Sequence, residues 1–99
     1  MVNVNVKWLS PDEGGRQTPP PGGRYLSIAR FPDDTTWQNN AWSVIFDLSP
    51  PKSINGYKVS AGTVEFMMDN APKEQLNNHD AFEIYEGPHK VGVVYILER

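Results

Sequence analysis

The sequence predicts an all-β fold, because apolar residues recur with a period of two in short blocks and residues that break regular structure separate those blocks. A third observation supports this: no block long enough for a stable helix carries a 3.6-residue period. The chain has 99 residues and an apolar content of 38%. That length suits one domain spanning 1–99, with a core large enough to fold unaided.

The first block, Val2-Asn3-Val4-Asn5-Val6-Lys7-Trp8, alternates strictly and places Val2, Val4, Val6 and Trp8 on one face of a strand. Ser10 to Gly23 follows, with Pro11, Pro19, Pro20 and Pro21 and the glycine pairs Gly14-Gly15 and Gly22-Gly23. Proline removes the amide donor and fixes φ, so this segment is expected to be a long loop. Arg24–Phe31 and Ala41–Leu48 read as strands. The second holds Trp42, Val44, Ile45, Phe46 and Leu48, a density that places it centrally.

Pro50-Pro51 ends that strand, and Asn55-Gly56 is the signature of a two-residue hairpin turn within Lys52–Ser60, since both residues tolerate positive φ. Thr63–Asp69, Ala81–Glu86 and Lys90–Leu97 complete the set. Val64, Phe66 and Met68 are expected on one face of the first of these. Pro72–Leu76 suits a single helical turn with Asn70 as its cap. Six or seven short strands in so small a chain call for a barrel or a sandwich, both of which limit exposed edges, and periodicity does not choose between them.

Composition narrows function. Nine basic against twelve acidic residues give a net charge of −3, which argues against indiscriminate affinity for nucleic acid or anionic membrane. Cysteine is absent, so disulfides, thiolate nucleophiles and thiolate ligands are excluded. No apolar run reaches the roughly 18 residues of a spanning helix, and no charged-then-apolar leader opens the chain. We therefore expect a cytoplasmic protein with no membrane partner.

Catalysis finds little footing. No phosphate cradle of the form Gly-x4-Gly-Lys-Ser/Thr occurs, so no nucleotide hydrolase is encoded. His79 and His89 are both expected in turns, without the spacing of a metal site or the partners of a hydrolytic triad. The reading is a protein that is not an enzyme and that needs neither cofactor nor metal.

Asp12 to Tyr25 has a composition beyond that of a plain connector. Long loops in compact domains tend to be functional, and Arg16, Arg24 and Tyr25 supply planar donors and an aromatic face for a partner. The structural alternative is a stiffened loop in which Arg16 pairs with Asp12 or Glu13. A third reading makes Pro19–Pro21 a polyproline ligand for an aromatic-lined groove.

Asp12-Glu13-Gly14-Gly15-Arg16-Gln17-Thr18-Pro19 is similar to the Glu-Glu-Gly-Gly-Arg-His-Thr-Pro string of the C-terminal β-barrel domain of bacterial elongation factor Tu. Phe82-Glu83-Ile84-Tyr85-Glu86-Gly87-Pro88-His89-Lys90-Val91-Gly92-Val93-Val94 resembles the Phe-Ala-Ile-Arg-Glu-Gly-Gly-Arg-Thr-Val-Gly-x-Gly-Val-Val run that closes the same barrel. The sequence departs from the family at Gln17, at Pro20-Pro21 and at Tyr85. The resemblance implies a closed six-stranded antiparallel barrel, standing here without the GTPase domain. In the factor this barrel is a noncatalytic platform that packs on other domains, touches the backbone of aminoacyl-tRNA and meets the exchange factor.

Two functional expectations follow. One is a binding module that engages a protein partner through Arg16, Gln17, Thr18, Arg24 and Tyr25, with Arg30 and Lys90 nearby. The other is a translation-related factor that sets Arg16, Arg24, Arg30 and Lys90 against the phosphates of tRNA or another RNA.

Overall fold

A computed structural model describes residues 1–33 and 41–98. The expected organisation of residues 34–40 lies outside them. Seven strands form in chain order: β1 Val2–Trp8, β2 Gly23–Arg30, β3 Trp42–Leu48, β4 Lys52–Ile54, β5 Tyr57–Phe66, β6 Ala81–Glu86 and β7 His89–Glu98. They are ordered β1-β7-β6-β2-β3-β5-β4, and a further antiparallel pairing of β1 with β5 closes six of them into a barrel, with β4 outside. Closure leaves those six strands no open edge, which chooses the barrel over the sandwich.

The alternation in β1 acts as expected. Val4 and Val6 are fully buried and Trp8 is nearly so, while Asn3 is exposed. Phe46, Val44, Val64, Phe82, Ile84 and Val94 meet them inside the barrel. Each such side chain contributes about 1.5–3 kcal/mol by leaving water. Phe31 extends this core toward one end, with its ring 4.8 Å from Phe82 and 6.0 Å from Phe66.

Three boundaries differ from expectation. The strand expected at Thr63–Asp69 is β5, which begins at Tyr57 and ends at Phe66. Its early start has a cause in pairing, since β1 supplies partners from Trp8↔Lys58 to Val2↔Val64 and the Asn55-Gly56 turn delivers the chain straight into that ladder. Asn55 (φ 51°) and Gly56 (φ 83°) both take the positive φ that a type I′ turn requires. Beyond Phe66 the chain turns away, so Met68 is 53% exposed rather than on the inner face. The expected helical turn lies further along, as α1 Gln75–Asn78, with Glu74 and not Asn70 at its start. Buried Leu76 anchors it. Within the long loop, Pro11–Glu13 forms a 3-10 turn, which tolerates proline at its first position because that amide has no partner in the turn.

β3 and β4 are two parts of one hairpin arm. Leu48 pairs with Gly62 and Lys52 with Val59, so three residues of this arm face two of β5. Pro50-Pro51 sits in that irregularity, where the missing amides cost no ladder bonds. Among the described residues, the tip of the hairpin, Lys52 to Val59, has only β1 beside its β5 arm and no strand beside β4.

The barrel has two distinct ends. Where β1 and β6 finish and β5 and β7 begin lie the long loop, the hairpin tip and the Gly87-Pro88 turn; this is the loop end. The opposite, helix end carries α1 and the chain segments around it.

Candidate loop-end binding site

Arg16 of the long loop and Tyr25 of β2 converge on one carboxylate at the end of β6. Arg16 Nη1 donates to Glu86 Oε2 at 2.5 Å, and the Tyr25 hydroxyl donates to the same oxygen at 2.5 Å. Arg16 Nε also donates to the carbonyl of Thr18 at 3.0 Å, which curls the backbone around the guanidinium. Arg16 therefore pairs with neither Asp12 nor Glu13, the partners that the stiffened-loop alternative gave it. Glu13 is otherwise engaged: its Oε1 accepts from the Ser10 amide at 3.0 Å and lies 3.2 Å from the Ser10 hydroxyl, and its Oε2 accepts from Tyr57 at 3.4 Å. The Ser10 amide is the main reason its carboxyl titrates below the usual range, with the Ser10 and Tyr57 hydroxyls and the charge of Lys7 adding to it.

Tyr25 belongs to both core and site. Its ring packs edge-on to Trp8 at 5.2 Å and tilted to Phe46 at 6.0 Å, while its hydroxyl reaches the loop. Burial pushes its pKa well above the ordinary value, and the bond to anionic Glu86 raises it further. Gln17 and Thr18 are exposed on the loop held by this latch. A recess of about 370 Å³ opens beside it, lined by Gly14, Gly15, Arg16, Glu86, His89 and Val91. Gly15 is required there, because a Cβ would lie 2.2 Å from the Leu9 carbonyl oxygen.

The remaining cations separate. Arg30 and Lys90 converge on Glu83 of the barrel wall: Lys90 Nζ lies 2.7 Å from Oε2 and Arg30 Nη1 lies 3.7 Å from Oε1. A bulge in β7 opposite Ile84 and Tyr85 turns Lys90 outward beside Tyr85. Burial alone would raise the Glu83 pKa, but the bond and charge of Lys90, with Tyr85 and Arg30, outweigh it and hold the carboxyl low. Arg24 is exposed on the outer face of β2 and stands opposite Asp47 in register. It forms no ion pair among the described residues.

The site assembled from sequence therefore divides into three. Arg16, Gln17, Thr18 and Tyr25 come together at the loop end, Arg30 and Lys90 share a carboxylate on the wall, and Arg24 stands apart. Pro20 is buried, so Pro19–Pro21 does not present the continuous face that a polyproline ligand needs. His79 lies near the helix end with Nε2 3.1 Å from Gln75 Oε1 and 3.2 Å from Asp33 Oδ1, whereas His89 is at the loop end. Among the described residues no three His, Asp or Glu side chains gather in a form that would hold a metal, and no helix is long and apolar enough to cross a membrane.

Sequence reasoning missed two features. One is Glu86, the carboxylate on which Arg16 and Tyr25 converge. The other is the grouping at the hairpin tip of Lys7 from β1 with Lys52 on one face and Lys58 on the other. The Asn55-Gly56 signal could have found the second, because it fixes the hairpin register. Nothing local marks Glu86, whose partners are 61 and 70 positions away.

Comparison with protein-family models, with curated proteins and with solved structures yields no match to this chain.

Proposed function

We propose that the chain is a noncatalytic binding module on an elongation factor Tu C-terminal-like barrel, and that it engages a protein partner through the Asp12–Tyr25 loop. The observation that carries this is the latch. Arg16 and Tyr25 converge on Glu86, so Gln17 and Thr18 are presented on a backbone already fixed, which lowers the entropy cost of binding. The family reading rests on the Asp12–Pro19 and Phe82–Val94 strings, and the closed six-stranded barrel is compatible with it.

A protein partner is favoured over an RNA backbone because three of the four cations that the RNA reading uses, Arg16 at the loop end and Arg30 and Lys90 on the wall, already face carboxylates. Phosphate would have to displace Glu86 and Glu83. The test is capture from lysate at about 150 mM salt, where screening removes diffuse electrostatic binding. A protein retained by the wild type and lost with Arg16→Glu plus Arg24→Glu, while amide dispersion shows an intact barrel, supports the reading. Amide shifts confined to the loop on adding total tRNA, persisting at that salt, would replace it with the RNA-binding, translation-related alternative.

A further inference from the structure

We propose that the hairpin formed by β4 and the start of β5 is a finger that contacts the backbone of double-stranded DNA. This goes beyond the loop-end reading and uses other residues. Three observations converge on it.

The first is the placement of charge. Lys7, Val59 and Lys52 are direct cross-strand partners, so both lysines lie on one face of the ribbon. Lys58, one position along, lies on the other face, where its Nζ bonds the neutral Ser53 hydroxyl at 2.7 Å. Lys7 Nζ sits 3.9 Å above the Tyr57 ring. Lys52 and Lys58 are exposed, and none of the three lysines is in an ion pair among the described residues. They are unlike Arg16, Arg30 and Lys90 in this respect. Glu13, close to Tyr57 and Lys7, is the opposing carboxylate.

The second is the tip. Ile54 is 50% exposed next to the Asn55-Gly56 turn, an apolar side chain at the apex of a short, tightly turned ribbon. Cations on both faces behind an apolar apex suit a ribbon entering a groove between two phosphate walls. Only the tip from Ser53 to Tyr57 is two-stranded, because β1 pairs with β5 from Lys58 onward; two strands about 4.8 Å apart fit the roughly 12 Å major groove of B-DNA, which leaves the lysines behind the tip at its phosphate rims. The deep, narrow major groove of A-form RNA would exclude them.

The third is polarity along the barrel axis. Asp33, Glu65, Asp69, Glu74 and Asp80 belong to the helix end, opposite the finger, whereas at the loop end the cations outnumber the carboxylates Asp12, Glu13, Asp47 and Glu86. The chain is acidic overall, yet its field would turn the hairpin toward a polyanion.

The test is fluorescence anisotropy with a labelled mixed-sequence DNA duplex of about 16 base pairs, the same sequence as duplex RNA, and vesicles of about 30% phosphatidylglycerol, from about 20 to about 150 mM KCl. Three neutralised phosphates predict a slope of log K on log salt of about −2.7, an approximately 200-fold loss across that range. Lys52→Glu with Lys58→Glu should abolish binding, Lys52→Gln with Lys58→Gln should reduce the slope to about −0.9, and Lys73→Glu at the helix end should change affinity less than about twofold. Amide dispersion verifies that each variant is folded. No binding to DNA at low salt, binding that survives the charge reversal, or equal or tighter binding to the RNA duplex or the vesicles would overturn the proposal. Loss of lysate capture in the Arg16 and Arg24 variant leaves it untouched, because the hairpin is unchanged there.

Discussion

Trp8 donates its indole Nε1–H to Ser60 Oγ across 2.9 Å in the barrel interior, joining residues 52 positions apart. The bond spans the β1–β5 seam that closes the sheet. It also permits a tryptophan at the loop end of the core, since a buried indole N–H without an acceptor is costly.

Ser60→Ala should therefore destabilise the protein by about 1–3 kcal/mol, the cost of leaving a buried donor unpaired. Urea denaturation would show this as a lower midpoint at unchanged slope. Trp8→Phe together with Ser60→Ala should cost less than the sum of the two single changes. Strict additivity would mean that the bond carries no coupling.

Ser27 makes the opposite case. Its hydroxyl is buried in β2 with no hydrogen-bond partner among the described residues, whereas Ser60 accepts from Trp8. Ser27→Ala removes an unsatisfied polar atom at almost constant shape, so stability should stay unchanged or rise by up to about 1 kcal/mol. A loss larger than about 1 kcal/mol in the same denaturation experiment would reveal a bond that this packing does not show.

What was legible in the sequence follows the range of the forces involved. Alternation in Val2–Trp8 and the Asn55-Gly56 turn are local, and both appear where expected, because side-chain period and turn dihedrals are fixed by neighbouring residues. The start of β5 was not legible, since it depends on β1 running opposite Tyr57–Val64. The same limit applies to the site. Arg16, Gln17, Thr18 and Tyr25 stand out by composition, but the carboxylate that orders Arg16 and Tyr25 comes from β6. Arg30 and Lys90 looked like available cations until the β2–β6–β7 register set Glu83 between them.

Glu83 also predicts part of the acid response. Its folded pKa is depressed, so the stability it contributes is present above the ordinary value of 4.5 and is lost as pH falls through the folded pKa. Lys90→Ala removes the closest cation and should raise the Glu83 pKa. Carbon-13-detected carboxyl titration reads that directly, and an unchanged midpoint would show that Lys90 is not its partner in solution.

The latch gives the last prediction, and its sign comes from Tyr25. Its pKa is raised in the folded state, so the stability it contributes is complete below the ordinary tyrosine value of 10.0 and is lost as pH climbs from there toward the folded value. Glu86→Gln replaces an anionic acceptor with a neutral amide. The phenol should then ionise more readily, and Tyr25, expected to titrate late among the tyrosines in ultraviolet absorbance, should move to lower pH. The same change removes the ion pair from Arg16, so amide exchange over Gly15–Thr18 should accelerate while β1 and β7 stay protected. Faster exchange throughout would mean that Glu86 supports the whole barrel. Unchanged exchange with a shifted Tyr25 would mean that the loop is held by its own backbone, through the Gly15 amide bonded to the Ser10 carbonyl at 2.9 Å, and needs no latch.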